Sequence, residues 1–505
     1  MSPETYRYEG PPVLGTLVAQ RCSATGWTSA KRSSTRGEPD LVIVGREESG
    51  RYALELKRLR TDGGEPSPMH LSESNDEEGK AILGRRLLAR LRDIRYIEKT
   101  DGWGDLVGVR PIKLYHRLSD RGYDAADIAR HLRERYGTSE DKIALLRETA
   151  EIQRPILESL SDSERKVAVY GGIPFCDTRC SYCSFPFGLV RAYTGMRGFV
   201  ESFKSDCADV RALATEYDLT PDCLYLGGGT PTALSESEFA ELLPAFAALV
   251  ESGRECTVEA GRPDSITRHK LDTMIRTGTT RISINPQTMN DAILRRIGRG
   301  HTVADILETF DEVRSFGRLD VNTDFIAGLP GQTMRDMMAD MDFVERYMPE
   351  NVTVHTLALK RGSVLYSERY RVDLPGETET EEMTTYASER LRAAGYRPYY
   401  LYRQQYMTGR LENIGYALPG KESRYNIAMM EECCTVLSVG AGGTSKWIRA
   451  PYINMEKQYM PKHPGVYQDT LSELVRVRCA KTAAFFADVK GCETVGSEQE
   501  KRNDS

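Results

Sequence analysis

The feature that most constrains the fold is a regular alternation of short apolar runs and amphipathic segments through the middle of the chain. The apolar runs are residues 167–170, 223–226, 256–259, 281–284, 321–326 and 351–357, and the helical patterns between them are residues 198–215, 235–250, 267–277, 290–297, 303–315 and 334–347. Repeated β/α alternation predicts a parallel sheet with helical crossovers. We therefore predict an α/β fold, a (β/α)6-like partial TIM barrel whose functional groups lie at the carboxyl ends of its strands.

The flanking sequence predicts further domains. Residues 1–160 read as an N-terminal α/β and helical domain, with a hairpin over 41–56, a mobile polar loop over 61–78 and helical spacing over 79–160. The barrel core is predicted over 161–348, and an α/β C-terminal region that completes the barrel is predicted over 349–492. Residues 493–505 are polar enough to form a disordered tail.

Composition excludes several classes of function. The chain has 505 residues, with Lys+Arg 68 against Asp+Glu 74, and this balance of −6 argues against a nucleic-acid binder with a basic face. No apolar run is long enough to span a bilayer, and the first residues lack the order of a signal peptide, so we expect a cytoplasmic protein. In that reducing setting the 11 cysteines are expected to be thiols or metal ligands.

Three of these cysteines form a compact motif directly after the first predicted barrel strand. Cys176, Cys180 and Cys183 have the spacing C-x3-C-x2-C. Three thiolates on one loop can ligate three irons of a [4Fe–4S] cluster and leave the fourth iron open to a small molecule. The alternatives are a zinc site or structural cysteines, but zinc favours four ligands and no second pair follows at suitable spacing.

Further candidate residues follow the later strands. The segment LGGGTPT, residues 226–232, could let backbone groups approach a ligand closely, although a glycine run alone also fits an ordinary tight turn. Four polar residues lie at or just after strand ends: Glu259, Gln287, Arg299 and Asp324. Carboxylates suit hydroxyl or ammonium groups and arginine suits a carboxylate. Taken singly, each is more often a surface residue or one that supports a ligand.

Together these motifs resemble the radical S-adenosylmethionine (SAM) superfamily and, within it, the oxygen-independent coproporphyrinogen III oxidase (dehydrogenase) family. The shared features are Tyr170 six residues before Cys176, the runs IPFC, GGGTPT, RISINPQ, RRIGRGHT and TDFIAGLPGQT, and an aromatic residue, Tyr182, before the last cysteine. The segments WGDLVGVRPIKLYHRL, YYLYRQQYMTGRLENIGYALPGKESRYNIAMMEE and SVGAGGTSK resemble the HemZ branch of that family.

The resemblance implies two cofactors, a [4Fe–4S] cluster and SAM. Matching positions would contact SAM, namely Tyr170, Tyr182, Gly228, Gly229, Thr230, Glu259, Gln287, Arg299 and Asp324. A SAM-derived radical would do the chemistry, and no protein acid or base is assigned. The implied partners are a porphyrinogen substrate and a reductant such as flavodoxin or ferredoxin. The implied reaction converts propionates of coproporphyrinogen III to the vinyl groups of protoporphyrinogen IX in haem biosynthesis.

Two positions depart from the family pattern beside the cysteine loop. Phe185 stands where the established oxidases have a further cysteine, and Gly172 stands where they have a histidine. Related branches without the extra cysteine include haem-carrying chaperone-like proteins and SAM-dependent methyltransferases. Both functions therefore stay open as alternatives to porphyrinogen oxidation.

Other residues carry weaker indications. Cys207, Cys223 and Cys256 lie on apolar patterns and are expected to be buried thiols. The adjacent Cys433 and Cys434 are expected to be structural, with ligation of haem or of a cluster as the alternative. His301 and His355 are expected to pack or to support ligands. Lys360 and Arg361 could meet substrate carboxylates, although a solvated charge pair is the commoner role.

Overall fold

The structure, a computed structural model, describes residues 5–24, 28–29, 41–58, 69–74, 83–84, 86–87, 91, 102–104, 106, 110–360, 362–368, 371–403, 411–449 and 455–500. The chain forms two compact units, one of Met1–Arg147 with Arg403–Leu411 and the other of Glu148–Tyr402 with Glu412–Ser505. The domain limits drawn from the sequence stay a prediction. Over the described ranges, no helix combines the length and apolar character needed to cross a membrane.

The first unit contains a five-stranded sheet of order β2-β1-β3-β4-β5. Its strands are β1 (Thr5–Glu9), β2 (Thr28–Ser29), β3 (Leu41–Glu48), β4 (Arg51–Arg58) and β5 (Met69–Ser74), and helices cover Pro12–Ala24, Ile112–Asp120 and Ala125–Tyr136. The predicted hairpin is confirmed, since β3 and β4 pair antiparallel around Ser49 and Gly50, both with positive φ. The loop predicted over 61–78 is wrong at β5, which pairs with β4 and buries Leu71; the rest of that loop lies almost entirely outside the described residues.

The second unit is built on an eleven-stranded sheet of order β14-β15-β13-β12-β11-β10-β9-β6-β16-β17-β18. Its strands are β6 (Lys166–Ile173), β9 (Thr220–Gly228), β10 (Glu255–Glu259), β11 (Arg281–Ser283), β12 (Asp320–Ala327), β13 (Asn351–Thr356), β14 (Arg397–Tyr402), β15 (Asn413–Ala417), β16 (Thr435–Gly440), β17 (Thr444–Ile448) and β18 (Met455–Tyr459). A separate two-stranded sheet joins β7 (Phe175–Cys176) to β8 (Gly188–Leu189).

The six predicted barrel strands are β6 and β9–β13, and they pair in parallel in sequence order. The helices of this unit are Glu140–Ser161, which begins in the first unit, Met196–Glu216, Glu236–Ala247, Arg268–Arg276, Asp291–Arg296, Val303–Phe316, Met334–Tyr347, Val364–Glu368, Glu377–Ala393, Arg424–Glu431 and Pro464–Glu500, with 3₁₀ turns at Val190–Ala192, Pro231–Ala233 and Pro263–Ser265. The predicted (β/α)6 partial barrel is confirmed. The barrel stays open because C-terminal strands flank both β13 and β6.

The C-terminal region adds a seventh parallel strand, β16, beside β6. A buried ion pair secures the helix that follows, since Arg478 Nη2 lies 2.5 Å from Asp206 Oδ1 and both side chains are fully buried. Asp206 Oδ2 also accepts hydrogen bonds from Tyr467 Oη (2.8 Å) and from the backbone N–H of Gly440 (2.9 Å). A buried charge with three partners is satisfied, whereas removal of one partner typically costs about 3–5 kcal/mol. The helix Pro464–Glu500 overlaps the predicted disordered tail, and residues 501–505 lie outside the described part.

Candidate functional site

The cysteine loop begins where β6 ends, at the carboxyl edge of the parallel strands. Cys176 lies in β7, and Cys176 and Cys180 are each 7% exposed. The Cys176 Sγ atom lies 3.3 Å from Thr230 Oγ1, in the glycine segment that follows β9. The backbone N–H of Cys183 donates to the Cys180 carbonyl at 3.2 Å, which tightens the end of the loop. The two motifs found in the sequence therefore meet in space.

The three thiol groups of the loop are candidate ligands of three irons of one cluster. Among the described residues, no three His, Cys, Asp or Glu side chains come together as ligands of one metal ion. A cubane cluster needs a wider arrangement, because each cysteine ligates a different iron. Burial raises the pKa of Cys176 to about 11, against the opposing effects of the Thr230 hydrogen bond and the Arg262 charge. A bound metal reverses that preference, because it holds coordinating thiols as thiolates.

The glycine segment packs directly on the cysteine loop. The N–H groups of Gly229 and Thr230 donate to the carbonyls of Ile173 and Phe175, both at 2.7 Å. Gly228 has a φ of +106°, and a Cβ at Gly229 would overlap the carbonyl oxygen of Phe175. Glycine is required here because any side chain would push the segment away from the cysteines.

A carboxyl group with a raised pKa lies at the end of β10. Desolvation raises the pKa of Glu259 to about 8, and the negative charge of Asp324 adds to that rise. Hydrogen bonds from the Gly228 backbone and the Tyr225 side chain act in the opposite direction. Tyr225 in turn stacks on Tyr170, with ring centroids 6.4 Å apart. The structure therefore brings Tyr170, Glu259 and Asp324 together inside the barrel.

Gln287 has an unusual backbone conformation, with a φ of +71°. Its N–H donates to the Asp324 carbonyl at 3.0 Å, and Asp340 Oδ1 accepts from the next two residues, Thr288 (3.2 Å) and Met289 (2.5 Å). The side-chain Oε1 of Gln287 is buried and has no hydrogen-bond partner among the described residues. A buried unpaired acceptor on a strained residue is typical of a ligand contact.

Arg299 links the cysteine loop to the end of β10. It is 8% exposed, and its Nη1 donates to the Gly261 carbonyl (2.9 Å) while its Nη2 donates to Tyr182 Oη (3.1 Å). Its Nε is buried without a partner in the part of the chain that the structure describes. Arg299 and Tyr182, both predicted from the sequence, are therefore in direct contact. All twelve residues proposed to bind the cluster and SAM lie at this edge of the sheet or inside the barrel beside it; their binding roles stay a prediction.

Two cationic side chains contact the cysteine loop and were not predicted from the sequence. Arg262, 2% exposed, donates from Nη2 to Cys180 Sγ at 2.9 Å and to the Thr178 carbonyl at 2.8 Å. Lys462 donates to the Ser184 carbonyl at 2.7 Å across 278 positions of sequence. A weak signal existed for Arg262, which follows Glu259 by three residues and precedes a proline. No local signal marked Lys462, because its role depends on where the C-terminal region folds.

The remaining candidates have structural surroundings. Cys207, Cys223 and Cys256 are buried thiols, as predicted, and Cys433 and Cys434 lie buried in an apolar cluster. The imidazole of His301 lies 3.5 Å from Asp264 Oδ1, and that of His355 lies 3.6 Å from Asp324 Oδ2. Lys360 lies with its Nζ 4.1 Å from the ring centroid of Phe185. Arg361 lies outside the described residues.

Gly172, one of the two departures from the family pattern, has a structural reason. A Cβ at this position would overlap the carbonyl oxygen of Ala441, in the loop after β16. The Ala441 N–H also donates to the Gly172 carbonyl at 3.1 Å. A histidine at position 172 is therefore incompatible with this placement of β16.

Comparisons with known proteins show the family of the chain. The model of the radical SAM superfamily matches residues 171–344. The chain is 37% identical over 375 residues to the oxygen-independent coproporphyrinogen-III oxidase-like protein HemZ of Bacillus subtilis (strain 168), which covers 73% of this chain and 75% of that protein. It is 30% identical over 320 residues to the heme chaperone HemW of Lactococcus lactis subsp. lactis (strain IL1403), covering 61% of this chain and 78% of that protein.

Among solved structures, coproporphyrinogen III oxidase (HemN) from Escherichia coli matches with a TM-score of 0.49 and 19% identity, covering 64% of this chain and 73% of that chain. The assignment rests on the sequence relatives, because they cover most of both proteins. The chain belongs to the radical SAM superfamily, which uses a [4Fe–4S] cluster and SAM, and within it to the family of oxygen-independent coproporphyrinogen-III oxidase-like proteins.

Proposed function

We propose that this protein oxidatively decarboxylates propionate groups of coproporphyrinogen III to vinyl groups, without oxygen. The observation that carries the proposal is an aromatic and cationic patch directly beyond the last cysteine. Phe185 and Phe187 are 56% and 43% exposed, although both follow the cysteine loop closely. Lys360 lies over the Phe185 ring, and Lys462 is held at Ser184.

This patch has the chemistry of a tetrapyrrole that carries carboxylates. Exposed aromatic rings offer an apolar surface to a flat macrocycle, and lysines at its rim offer charge to propionates. Burial lowers the pKa of Lys360, with a smaller contribution in the same direction from the charge of Lys462. A substrate carboxylate between the two ammonium groups would remove that repulsion. The patch therefore favours an anionic, amphipathic substrate beside the cofactors.

We propose roles for the residues around the cofactors. Cys176, Cys180 and Cys183 would hold the cluster, and Gly228, Gly229, Thr230, Glu259, Gln287, Arg299 and Asp324, with Tyr170 and Tyr182, would hold SAM. When bound, these cofactors supply a 5′-deoxyadenosyl radical, formed with one electron from a reductant such as flavodoxin or ferredoxin. The barrel residues fix the distance from that radical to the substrate and exclude water.

The proposed reaction balances in atoms and electrons. The propionate would give one hydrogen atom from the carbon next to the pyrrole ring to the 5′-deoxyadenosyl radical, which becomes 5′-deoxyadenosine. The bond between the second methylene carbon and the carboxylate carbon would then break. Carbon dioxide leaves, one electron passes to an external one-electron acceptor, and a vinyl group remains. Two rounds would convert coproporphyrinogen III to protoporphyrinogen IX.

The test uses the full chain, reconstituted anaerobically with iron and sulfide and incubated with SAM, dithionite and coproporphyrinogen III. We expect 5′-deoxyadenosine, methionine, carbon dioxide and vinyl products, measured by liquid chromatography and mass spectrometry. Formation of 5′-deoxyadenosine without vinyl products would contradict the porphyrinogen assignment and leave the family assignment intact.

A second candidate function is haem delivery, because the chain is 30% identical to a protein named as a heme chaperone. The same aromatic and cationic patch would suit the propionates of haem. Haem titration of the reconstituted protein, followed by absorbance, separates the two functions. Stoichiometric haem binding together with an absence of vinyl products would favour delivery.

A further inference from the structure

The buried guanidinium of Arg262 is fixed against the cysteine loop. Its Nη2 donates to Cys180 Sγ (2.9 Å) and to the Thr178 carbonyl (2.8 Å), and its Nη1 donates to Thr178 Oγ1. The backbone of Arg262 is equally fixed, because its carbonyl accepts from Ser265 Oγ at 2.9 Å at the start of a 3₁₀ turn. The side chain therefore bridges the end of β10 and the loop between the first two cysteines.

The position of Arg262 differs from that of the other cations near the thiols. Arg299 donates to Gly261 and Tyr182 rather than to sulfur, and Lys360 lies over the Phe185 ring. The acidic groups near Arg262 are Asp264 and Asp177, and its charge acts on both. Asp264 has a partner in His301, at 3.5 Å. Among these groups, the direct hydrogen bond to a cysteine sulfur comes from Arg262.

We propose that Arg262 sets the reduction potential of the iron–sulfur cluster through Cys180, and so acts as a positioning and tuning residue. Reduction adds one negative charge to a cluster that three thiolates already make electron-rich. A hydrogen bond and a positive charge at one of those sulfurs stabilise the reduced form and raise the potential. Low exposure strengthens this effect, because little water screens the guanidinium.

This inference uses the cluster of the family and does not depend on the substrate proposed above. It assigns a step that precedes any substrate chemistry, namely the transfer of one electron from an external reductant to the cluster. A higher potential makes that transfer more favourable for a given reductant. The role differs from loop support alone, which would change the amount of cluster held and not its potential.

The experiment compares the full-length wild type with Arg262→Gln, Arg262→Lys and a matched control, Arg268→Gln, each reconstituted anaerobically without SAM. Arg268 is an exposed arginine in the next helix, with a side chain 70% exposed. Iron and sulfide are counted per chain, and the midpoint potential is measured by redox titration with electron paramagnetic resonance. We expect Arg262→Gln to lower the equilibrium constant for reduction at least about tenfold, which is about 59 mV for one electron. The control should keep the wild-type potential, and Arg262→Lys should shift by less than Arg262→Gln.

An Arg262→Gln protein that holds a full cluster at the wild-type potential would overturn the proposal. So would a protein whose SAM affinity falls while its potential stays unchanged, because Arg262 would then serve the ligand. If Arg262→Gln does not retain iron, Arg262→Lys decides, since one ammonium cannot reproduce the planar fork on Thr178 and Cys180. A lowered potential in that variant supports the proposal, and a wild-type potential overturns the role of the guanidinium hydrogen bond to Cys180, because the ammonium group keeps the positive charge. A failure to form vinyl products would not change the interpretation of the measured potentials or of the iron content.

Discussion

The cysteine loop has two contrasting sides. On the inner side, Cys176 and Cys180 are buried and held by Thr230, Arg262 and the Tyr182–Arg299 contact. On the outer side, Phe185 and Phe187 are exposed beside two lysines. Several polar groups of the inner side have partners in the segments that follow β9 and β10, although Gln287 Oε1 and Arg299 Nε have none among the described residues, whereas the outer side leaves apolar and charged groups exposed. In our proposal, the inner side supplies the radical and the outer side selects the substrate that it attacks.

The largest expected effect is the loss of the cluster when one of its proposed cysteine ligands on the inner side is removed. Replacement of Cys176, Cys180 or Cys183 by alanine should abolish cluster binding and all formation of 5′-deoxyadenosine, because each thiolate would hold one iron. Iron content and product formation measure this. Cys207→Ala is the matched control, since Cys207 is also a buried cysteine, at 3% exposure, but lies in the helix Met196–Glu216. A Cys183→Ala protein with full iron content would contradict the assignment of the loop.

The next largest expected effect is a fall in SAM affinity when the close contact between the glycine segment and the cysteine loop is disturbed. In Gly229→Ala the new methyl group overlaps the Phe175 carbonyl, and relief of such a clash typically costs about 1–3 kcal/mol. We therefore expect SAM affinity to fall roughly 10- to 100-fold, measured by equilibrium binding to the reconstituted protein. Gly376→Ala is the control, because a Cβ there meets nothing within 4 Å. Equal SAM affinities in the two variants would show that the segment does not form the SAM site.

A smaller effect is expected on the outer side. The double variant Lys360→Ala, Lys462→Ala should raise KM for coproporphyrinogen III about tenfold, since partly exposed charge contacts are each worth about 0.5–1 kcal/mol. SAM cleavage without substrate should stay unchanged. Lys457→Ala, on the exposed strand β18, is the control. If the double variant lost SAM cleavage as well, the two lysines would serve the cofactors and not only the binding of substrate.

The smallest effect is a pH dependence of SAM binding. The pKa of Glu259 is about 8 in the free protein, so this carboxyl is mostly protonated at pH 7. A SAM cation favours the ionised form, and SAM affinity should therefore rise as pH increases, by about fivefold between pH 7 and pH 8. Binding measured across that range should lose this component in Glu259→Gln. An identical pH profile in the variant would remove Glu259 from the site.

The barrel strands, their helices and the residues of the inner side could be predicted from the sequence. The six barrel strands and their helices were predicted within a few residues, because buried parallel strands such as β9 and capped helices such as Glu236–Ala247 have local signatures. The inner-side residues follow strand ends, so the order of strands brings them together. The order of the strands in the sequence therefore predicts which of these residues come together, without any knowledge of tertiary contacts.

The parts that were missed depend on contacts between distant segments. The strand β16 lies beside β6 although 261 residues lie between the ends of the two strands that face each other in the sequence, and no local pattern specifies that pairing. Lys462 reaches Ser184 only through this arrangement. Arg262 resembled an ordinary charged residue after a strand, and its hydrogen bond to Cys180 depends on the packing of the loop.

The most direct test of the proposed function is the transfer of a deuterium label from the substrate propionate to 5′-deoxyadenosine. Coproporphyrinogen III carrying deuterium on the propionate carbon next to each pyrrole ring is incubated anaerobically with the reconstituted protein, SAM and dithionite. We predict 5′-deoxyadenosine one mass unit heavier, formed together with vinyl products, because the radical from the inner side would take its hydrogen from a propionate held at the outer side. Unlabelled 5′-deoxyadenosine, with the substrate recovered intact, would contradict the account.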